Sequence, residues 1–178
     1  MKRILAVGTL AFAMTVAGRC AATDAASVWH ASQASPAVAH APSHYMAYTL
    51  DLDGLKRRLA ASPARLDLPG PDGVMHPFDI TPASALPAAL AAKYPDIRSY
   101  QGSDGQGRRV RLDLSPKGLK AAVYGDPKGV WLVQRATTLG GDAGGPAADG
   151  DVYWSFARND LPSSPANFRE GGVHREGR

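Results

Sequence analysis

Apolar and polar residues alternate one by one along several short segments of the chain. The clearest case is residues 109–114, in which Val110, Leu112 and Leu114 alternate with two arginines and an aspartate. A period of two predicts a β-strand with one buried and one solvent-facing side. Runs of β-prone residues predict further strands at 45–50, 64–68, 74–80, 119–124, 130–134 and 152–157.

Turn residues separate these predicted strands. SPKG at 115–118 and DPKG at 126–129 each place proline second and glycine fourth, which suits a tight turn. We therefore expect 109–114, 119–124 and 130–134 to form an antiparallel meander. The sequence PGPDG at 69–73 predicts another turn, between the strands at 64–68 and 74–80.

Two segments have a helical period. Leu52, Leu55 and Leu59 recur on one face after Asp51, which predicts an N-capped helix that ends before Pro63.

Leu86, Leu90 and Tyr94 predict a second helix, which Pro87 begins and Pro95 ends. Together the elements predict an α+β domain, with an antiparallel sheet of about six strands and two short helices packed on one face.

The first 22 residues have the pattern of a secretory signal peptide. Lys2 and Arg3 precede an apolar run over residues 4–17, and small residues follow it. The run is short for a membrane span, so we expect cleavage after Ala22 or Ala25 and export to the periplasm or the extracellular space. A lipoprotein anchored through Cys20 is the alternative, although Arg19 stands where lipidation favours a small residue.

Removal of this leader changes the charge and cysteine arguments. The net charge of +4 falls by three to +1, because Lys2, Arg3 and Arg19 leave with residues 1–22. We therefore expect no nucleic-acid partner, and no membrane association after cleavage. Cys20, the single cysteine, leaves as well, so the mature chain would have no disulfide.

The remaining chain divides into three parts. Residues 23–43 are rich in Ala, Ser, Pro and His and predict a flexible lead-in. Residues 44–160 contain the predicted strands and helices. Residues 161–178 have no pattern of core residues and predict a loose C-terminal tail.

Catalytic signatures are absent from the sequence. It contains no HExxH zinc motif and no GxSxG nucleophile elbow, and Pro42 lies between His40 and His44. Asp51 and Asp53 stand where a helix cap favours aspartate. We therefore expect a protein that is not an enzyme and that holds no cofactor or metal.

Two groups of residues are candidates for an interaction. Arg108, Arg109 and Arg111 form a local basic run, and Trp154 lies in the aromatic segment VYWSFA. Such arginines often lie on a solvated strand face, and such aromatic residues often belong to a core.

Residues 86–124 also resemble a known pro-region. AAKYP at 91–95 is followed by IRSY, a glycine-rich turn, RLDL and then LKAAVY. This succession resembles the N-terminal propeptide of secreted bacterial reprolysin-like zinc metallopeptidases, and the similarity extends over roughly residues 45–160. In that family the propeptide is taken to assist folding of the peptidase and to block its cleft.

The resemblance implies a zinc metallopeptidase catalytic domain as partner, joined in the precursor or acting in trans. It also makes Asp160 the nearest oxygen ligand that could approach the zinc of the partner, with a plain linker as the alternative. The chain lacks the zinc helix that follows in such precursors. A stand-alone peptide- or glycan-binding module and a vestigial chain remain open alternatives, and we expect a monomer.

Overall fold

A computed structural model describes residues 27–83, 87–140, 145–147 and 150–162. The predicted signal peptide at 1–22 and most of the predicted tail lie outside these residues. The described chain contains nine strands: β1 (Trp29–Ala31), β2 (Met46–Leu50), β3 (Ala64–Pro69), β4 (Met75–Ala83), β5 (Arg98–Ser103), β6 (Arg109–Ser115), β7 (Gly118–Tyr124), β8 (Trp131–Arg135) and β9 (Val152–Ala157). It also contains two α-helices, α1 (Leu52–Ala60) and α2 (Ala88–Lys93), and two 3₁₀ turns, Ala136–Gly140 and Arg158–Asp160.

All nine strands belong to one antiparallel sheet, in the order β1-β2-β9-β8-β7-β6-β5-β4-β3. Strands β3 to β8 follow one another as neighbours, and the predicted meander of β6, β7 and β8 is present. The last strand, β9, lies between β8 and β2 and so connects the N-terminal strands β1 and β2 to the run of strands β3 to β8.

The sheet curls into a nearly closed barrel, in which side chains of β1 and β9 reach the opposite edge strand, β3. The indole Nε1 of Trp29 on β1 donates to the carbonyl oxygen of Asp67 on β3 at 2.9 Å. Ser155 Oγ on β9 donates to the carbonyl oxygen of Pro69, at the end of β3, at 2.7 Å. These bonds satisfy carbonyl groups that an open sheet edge would leave unpaired.

The two ends of the barrel differ. The helix end carries α1, α2 and the turn between β6 and β7. The turn end carries the connections 70–74, 104–108 and 125–130, together with the 3₁₀ turn Arg158–Asp160. Helix α1 begins as predicted, since the carboxylate of Asp51 accepts from the backbone N–H of Gly54 at 2.7 Å, and it buries Leu55 and Leu59.

The predicted fold class is wrong in two respects. The sheet has nine strands and curls into a barrel, whereas about six strands with helices on one face were expected. Strand β1 lies within residues 23–43, where a flexible lead-in was predicted, because Trp29 is buried against Tyr48 and Tyr153.

The second helix also differs from the prediction. Helix α2 has six residues, and Leu90 and Tyr94, which were expected to pack on the sheet, are each almost half exposed. Pro87 and Pro95 limit the helix to fewer than two turns, which is too short to bury a continuous apolar stripe. One helix, α1, therefore packs against the barrel.

Candidate functional site

The interior of the barrel is a packed core. Every member of the main cluster is at most 6% exposed, and aromatic rings from three strands meet inside it. Trp29 makes edge-on contacts with Tyr48 and Tyr153, at ring centroid distances of 6.4 and 5.7 Å. Burial raises the pKa of the Tyr153 hydroxyl, which also accepts from the backbone N–H of Leu119 at 3.3 Å. Because side chains fill the interior, a binding site would lie on the outer surface or at the ends of the barrel.

Two of the three candidate arginines share one outer surface. Arg109 and Arg111 point away from the core on β6, and Tyr124 on β7 lies directly opposite Arg109. They border a groove of about 710 Å³, which is also lined by Gln101 and Ser103 on β5. We call this groove the outer groove.

Arg108, the third candidate arginine, is held by ion pairs within the domain and does not face the outer groove. Its side chain is 13% exposed and forms ion pairs with Asp104 and, at 3.5 Å, with Asp126. Burial alone would raise the pKa of Asp104, but hydrogen bonds from Arg108 and from backbone N–H groups outweigh it and lower that pKa. Arg108 therefore joins two connections of the turn end and does not belong to the surface of Arg109 and Arg111.

Trp154 is fully buried, on the outer side of β9. The ring of Tyr45 stacks on it at a centroid distance of 4.2 Å, and Phe156 and Ala136 complete a second apolar cluster. Its Nε1 has no hydrogen-bond partner among the described residues. Trp154 is therefore covered by the chain that precedes β2 and is not available to a partner in this arrangement.

Asp160 is engaged by the same N-terminal segment. Its carboxylate accepts from Ser43 Oγ at 3.1 Å and lies 3.3 Å from His44 Nδ1. Its backbone carbonyl accepts from the N–H of Ser43 at 2.8 Å. The side chain is 24% exposed, so a partner would have to displace these bonds in order to use the carboxylate.

A pocket at the turn end, with both charged and apolar lining residues, was not predicted from the sequence. It has a volume of about 260 Å³, and its lining includes Asp72, His76, Lys128 and Trp131. The rings of His76 and Trp131 are 5.8 Å apart, and His76 Nε2 lies 3.6 Å from Asp72. We call it the turn-end pocket.

Trp131 is the unusual member of this pocket. Its side chain is 2% exposed, and its Nε1 has no hydrogen-bond partner among the described residues. A buried donor without an acceptor costs about 1–3 kcal/mol. Burial would raise the pKa of Asp72, which also lines this pocket, but the hydrogen bond from the backbone N–H of Val74 and the electrostatic influence of His76 and Lys128 lower it.

The sequence pattern does not predict the turn-end pocket, because its charged residues come from two turns about fifty positions apart in the chain. Asp72 and His76 flank the start of β4, and Lys128 precedes β8. These strands are separated by β5, β6 and β7 in the sheet and meet only because the sheet curls.

The helix end presents exposed apolar residues. Leu90 and Tyr94 of α2 and Ile97 before β5 are 42 to 45% exposed. A groove of about 300 Å³, lined by Leu59, Pro82, Ala91 and Ile97 among others, runs beside them. The exposed side chains make this end a second possible contact surface.

The described residues contain no group of three or more His, Cys, Asp or Glu side chains that could hold a metal ion. Within the same residues neither helix is long and apolar enough to cross a membrane. No protein family, no curated protein and no solved structure matches this chain.

Proposed function

We propose that this chain is an exported, non-catalytic pro-domain that helps a reprolysin-like zinc metallopeptidase to fold and inhibits it, as part of a precursor or in trans. The observation that carries the proposal is the arrangement of the residues that resemble the propeptide family. Residues 98–100 of IRSY, RLDL at 111–114 and LKAAVY at 119–124 lie in β5, β6 and β7, three successive antiparallel strands paired in register. The resemblance therefore covers one continuous folding unit and not scattered positions.

The character of the domain supports this role. Its core is filled, its edge strands are bridged, and its α-helix is capped, so it would offer a partner a preformed surface. A preformed surface of this kind loses little conformational freedom on binding, so it would bind a partly folded peptidase at a low entropic cost.

Inhibition would be steric. Strand β9 ends at Ala157, and the chain continues through the 3₁₀ turn Arg158–Asp160 at the turn end. A segment that leaves there would cross the cleft of a domain docked at that end. Asp160 is already bonded to Ser43 and His44, so ligation of the partner's zinc by this carboxylate is the secondary possibility.

The test is recovery of peptidase activity. A reprolysin-like catalytic domain without its own pro-region would be refolded from denaturant with and without the purified chain, and the folded enzyme would be assayed at rising chain concentrations. We expect a higher yield of active enzyme and saturable inhibition. The absence of both effects at tens of micromolar would contradict the proposal.

The outer groove favours a second candidate function, a peptide- or glycan-binding module. Arg109, Arg111, Gln101 and Ser103 together provide cationic and neutral hydrogen-bond donors along one groove, beside the half-exposed ring of Tyr124. Binding of peptides or glycans that is lost in Arg109→Ala, together with no effect on the peptidase, would favour this function.

A further inference from the structure

The turn end combines four features that would suit a docked polypeptide. A pocket of about 260 Å³ opens there, with Lys128 and Asp72 among its lining residues. Beside it, Val74 is 53% exposed and Met46 is 41% exposed. Gly73, which precedes Val74 in the chain, lies close to Met46, since a Cβ added at Gly73 would be 3.3 Å from Met46 Cε.

The buried indole of Trp131 supplies the third feature. Its Nε1 lacks an acceptor among the described residues, as does Trp154 Nε1 in the second apolar cluster, whereas Trp29 Nε1 on β1 is bonded to Asp67; of the three tryptophans only Trp131 lines the turn-end pocket. The atom is fully covered in the unbound chain, so an acceptor from outside the domain would satisfy this donor only if the wall of the pocket moved. The peptide carbonyl is the commonest acceptor that a protein partner carries.

The fourth feature is the course of the chain. Ala157, the last residue of β9, lines the same pocket, and the N–H of Arg158 donates to the carbonyl oxygen of Val130 at 2.9 Å. A domain that follows in the same precursor would therefore be tethered beside this pocket. Tethering raises the effective concentration of the partner near the domain relative to an unlinked partner.

We infer that the turn end is the docking surface for the peptidase, with an extended peptide segment of the catalytic domain in the turn-end pocket and apolar side chains of that domain against Met46 and Val74. This inference rests on the proposed function. It assigns to Lys128 the recognition of a carbonyl or carboxylate oxygen at the rim of the pocket, and it leaves α2 and its exposed residues outside the interface.

The first test compares two apolar positions of similar exposure at opposite ends. Val74→Asp lies at the turn end and Leu90→Asp lies on α2. With the refolding and inhibition assays described above, we expect Val74→Asp to weaken inhibition by roughly fivefold or more, and Lys128→Glu to do the same. Leu90→Asp should remain close to the unchanged chain. Equal loss in both aspartate variants, or loss in Leu90→Asp alone, would overturn the inference.

The second test measures the NMR signal of the Trp131 indole N–H, which lies at the pocket, and needs no variant. Each of the three tryptophans gives one indole N–H signal in a ¹H–¹⁵N correlation spectrum. On titration with the inactive catalytic domain, the Trp131 signal should shift or broaden more than the Trp29 signal. A shift confined to Trp29 or Trp154 would overturn the inference.

The two proposals can fail separately. If the unchanged chain affects the peptidase but the turn-end variants and the Trp131 signal do not differ from their controls, the docking site is wrong and the pro-domain function stands. If the unchanged chain neither inhibits nor assists refolding, the function is wrong and the docking inference falls with it.

Discussion

The indole Nε1 of Trp29 and the carbonyl oxygen of Asp67 lie 2.9 Å apart, and this hydrogen bond connects the first and third strands, which are the two edges of the sheet. Trp29→Phe would keep an aromatic ring in the core and remove the donor. We expect it to lower the free energy of unfolding by about 1–2 kcal/mol. Urea unfolding measures this difference. His30→Ala, on the exposed side of the same strand, is the control, and an equal loss there would contradict a specific role for the bond.

Gly118 and Gly129 offer a matched pair of backbone positions, with φ of +100° and +101°. A Cβ at Gly118 would overlap the Tyr153 hydroxyl oxygen, whereas a Cβ at Gly129 would meet no atom within 4 Å. Gly129→Ala should therefore cost only the left-handed backbone, about 1–2 kcal/mol. Gly118→Ala should cost about 1–3 kcal/mol more, because of the added overlap.

Thermal or urea unfolding of both alanine variants would measure this difference. In a Tyr153→Phe background, which lacks the hydroxyl, the excess cost of Gly118→Ala should shrink. An unchanged excess would show that the overlap is not its cause.

Leu112 and Arg111 test the register of β6. Leu112 is fully buried, and the side chain of Arg111 is 58% exposed. Leu112→Asp places an unpaired carboxylate in the core, which would remove much of a typical stability of about 5–15 kcal/mol. Arg111→Asp should be far milder. The reverse order in urea unfolding would mean that the register is wrong by one residue.

Acid should destabilise the domain through Asp104 and Asp72. Their pKa values are lower in the folded chain than in the unfolded chain, so both carboxylates stabilise the fold above their unfolded pKa of about 3.9. That contribution is lost as the pH falls through the lowered folded pKa values. Urea unfolding between neutral pH and pH of about 3 should show the loss. Asp104→Asn should reduce its slope, because it removes one of the two carboxylates with a lowered pKa.

The local elements could be predicted from the sequence because they depend on neighbouring residues. The alternation in β6, the turns of the meander and the Asp51 cap all involve positions a few residues apart. The apolar spacing of α2 was misleading, since period alone does not show whether a face is covered.

The closure of the sheet and the turn-end pocket could not be predicted in this way. The bond between Trp29 and Asp67 joins residues 38 positions apart, and Ser155 reaches Pro69 across 86 positions. Such contacts depend on how strongly the sheet twists and curls, which no local pattern encodes. The separation of Arg108 from Arg109 and Arg111 likewise depends on the side of the strand to which each side chain points.

The central position of β9 has a consequence for the time at which the domain can form. In the described structure β2 pairs only with β1 and β9, so the N-terminal strands join the meander only through the last strand. During synthesis, residues 27–151 would leave the ribosome with this junction still missing. We therefore expect the barrel to assemble late and as a whole, once its final strand is available.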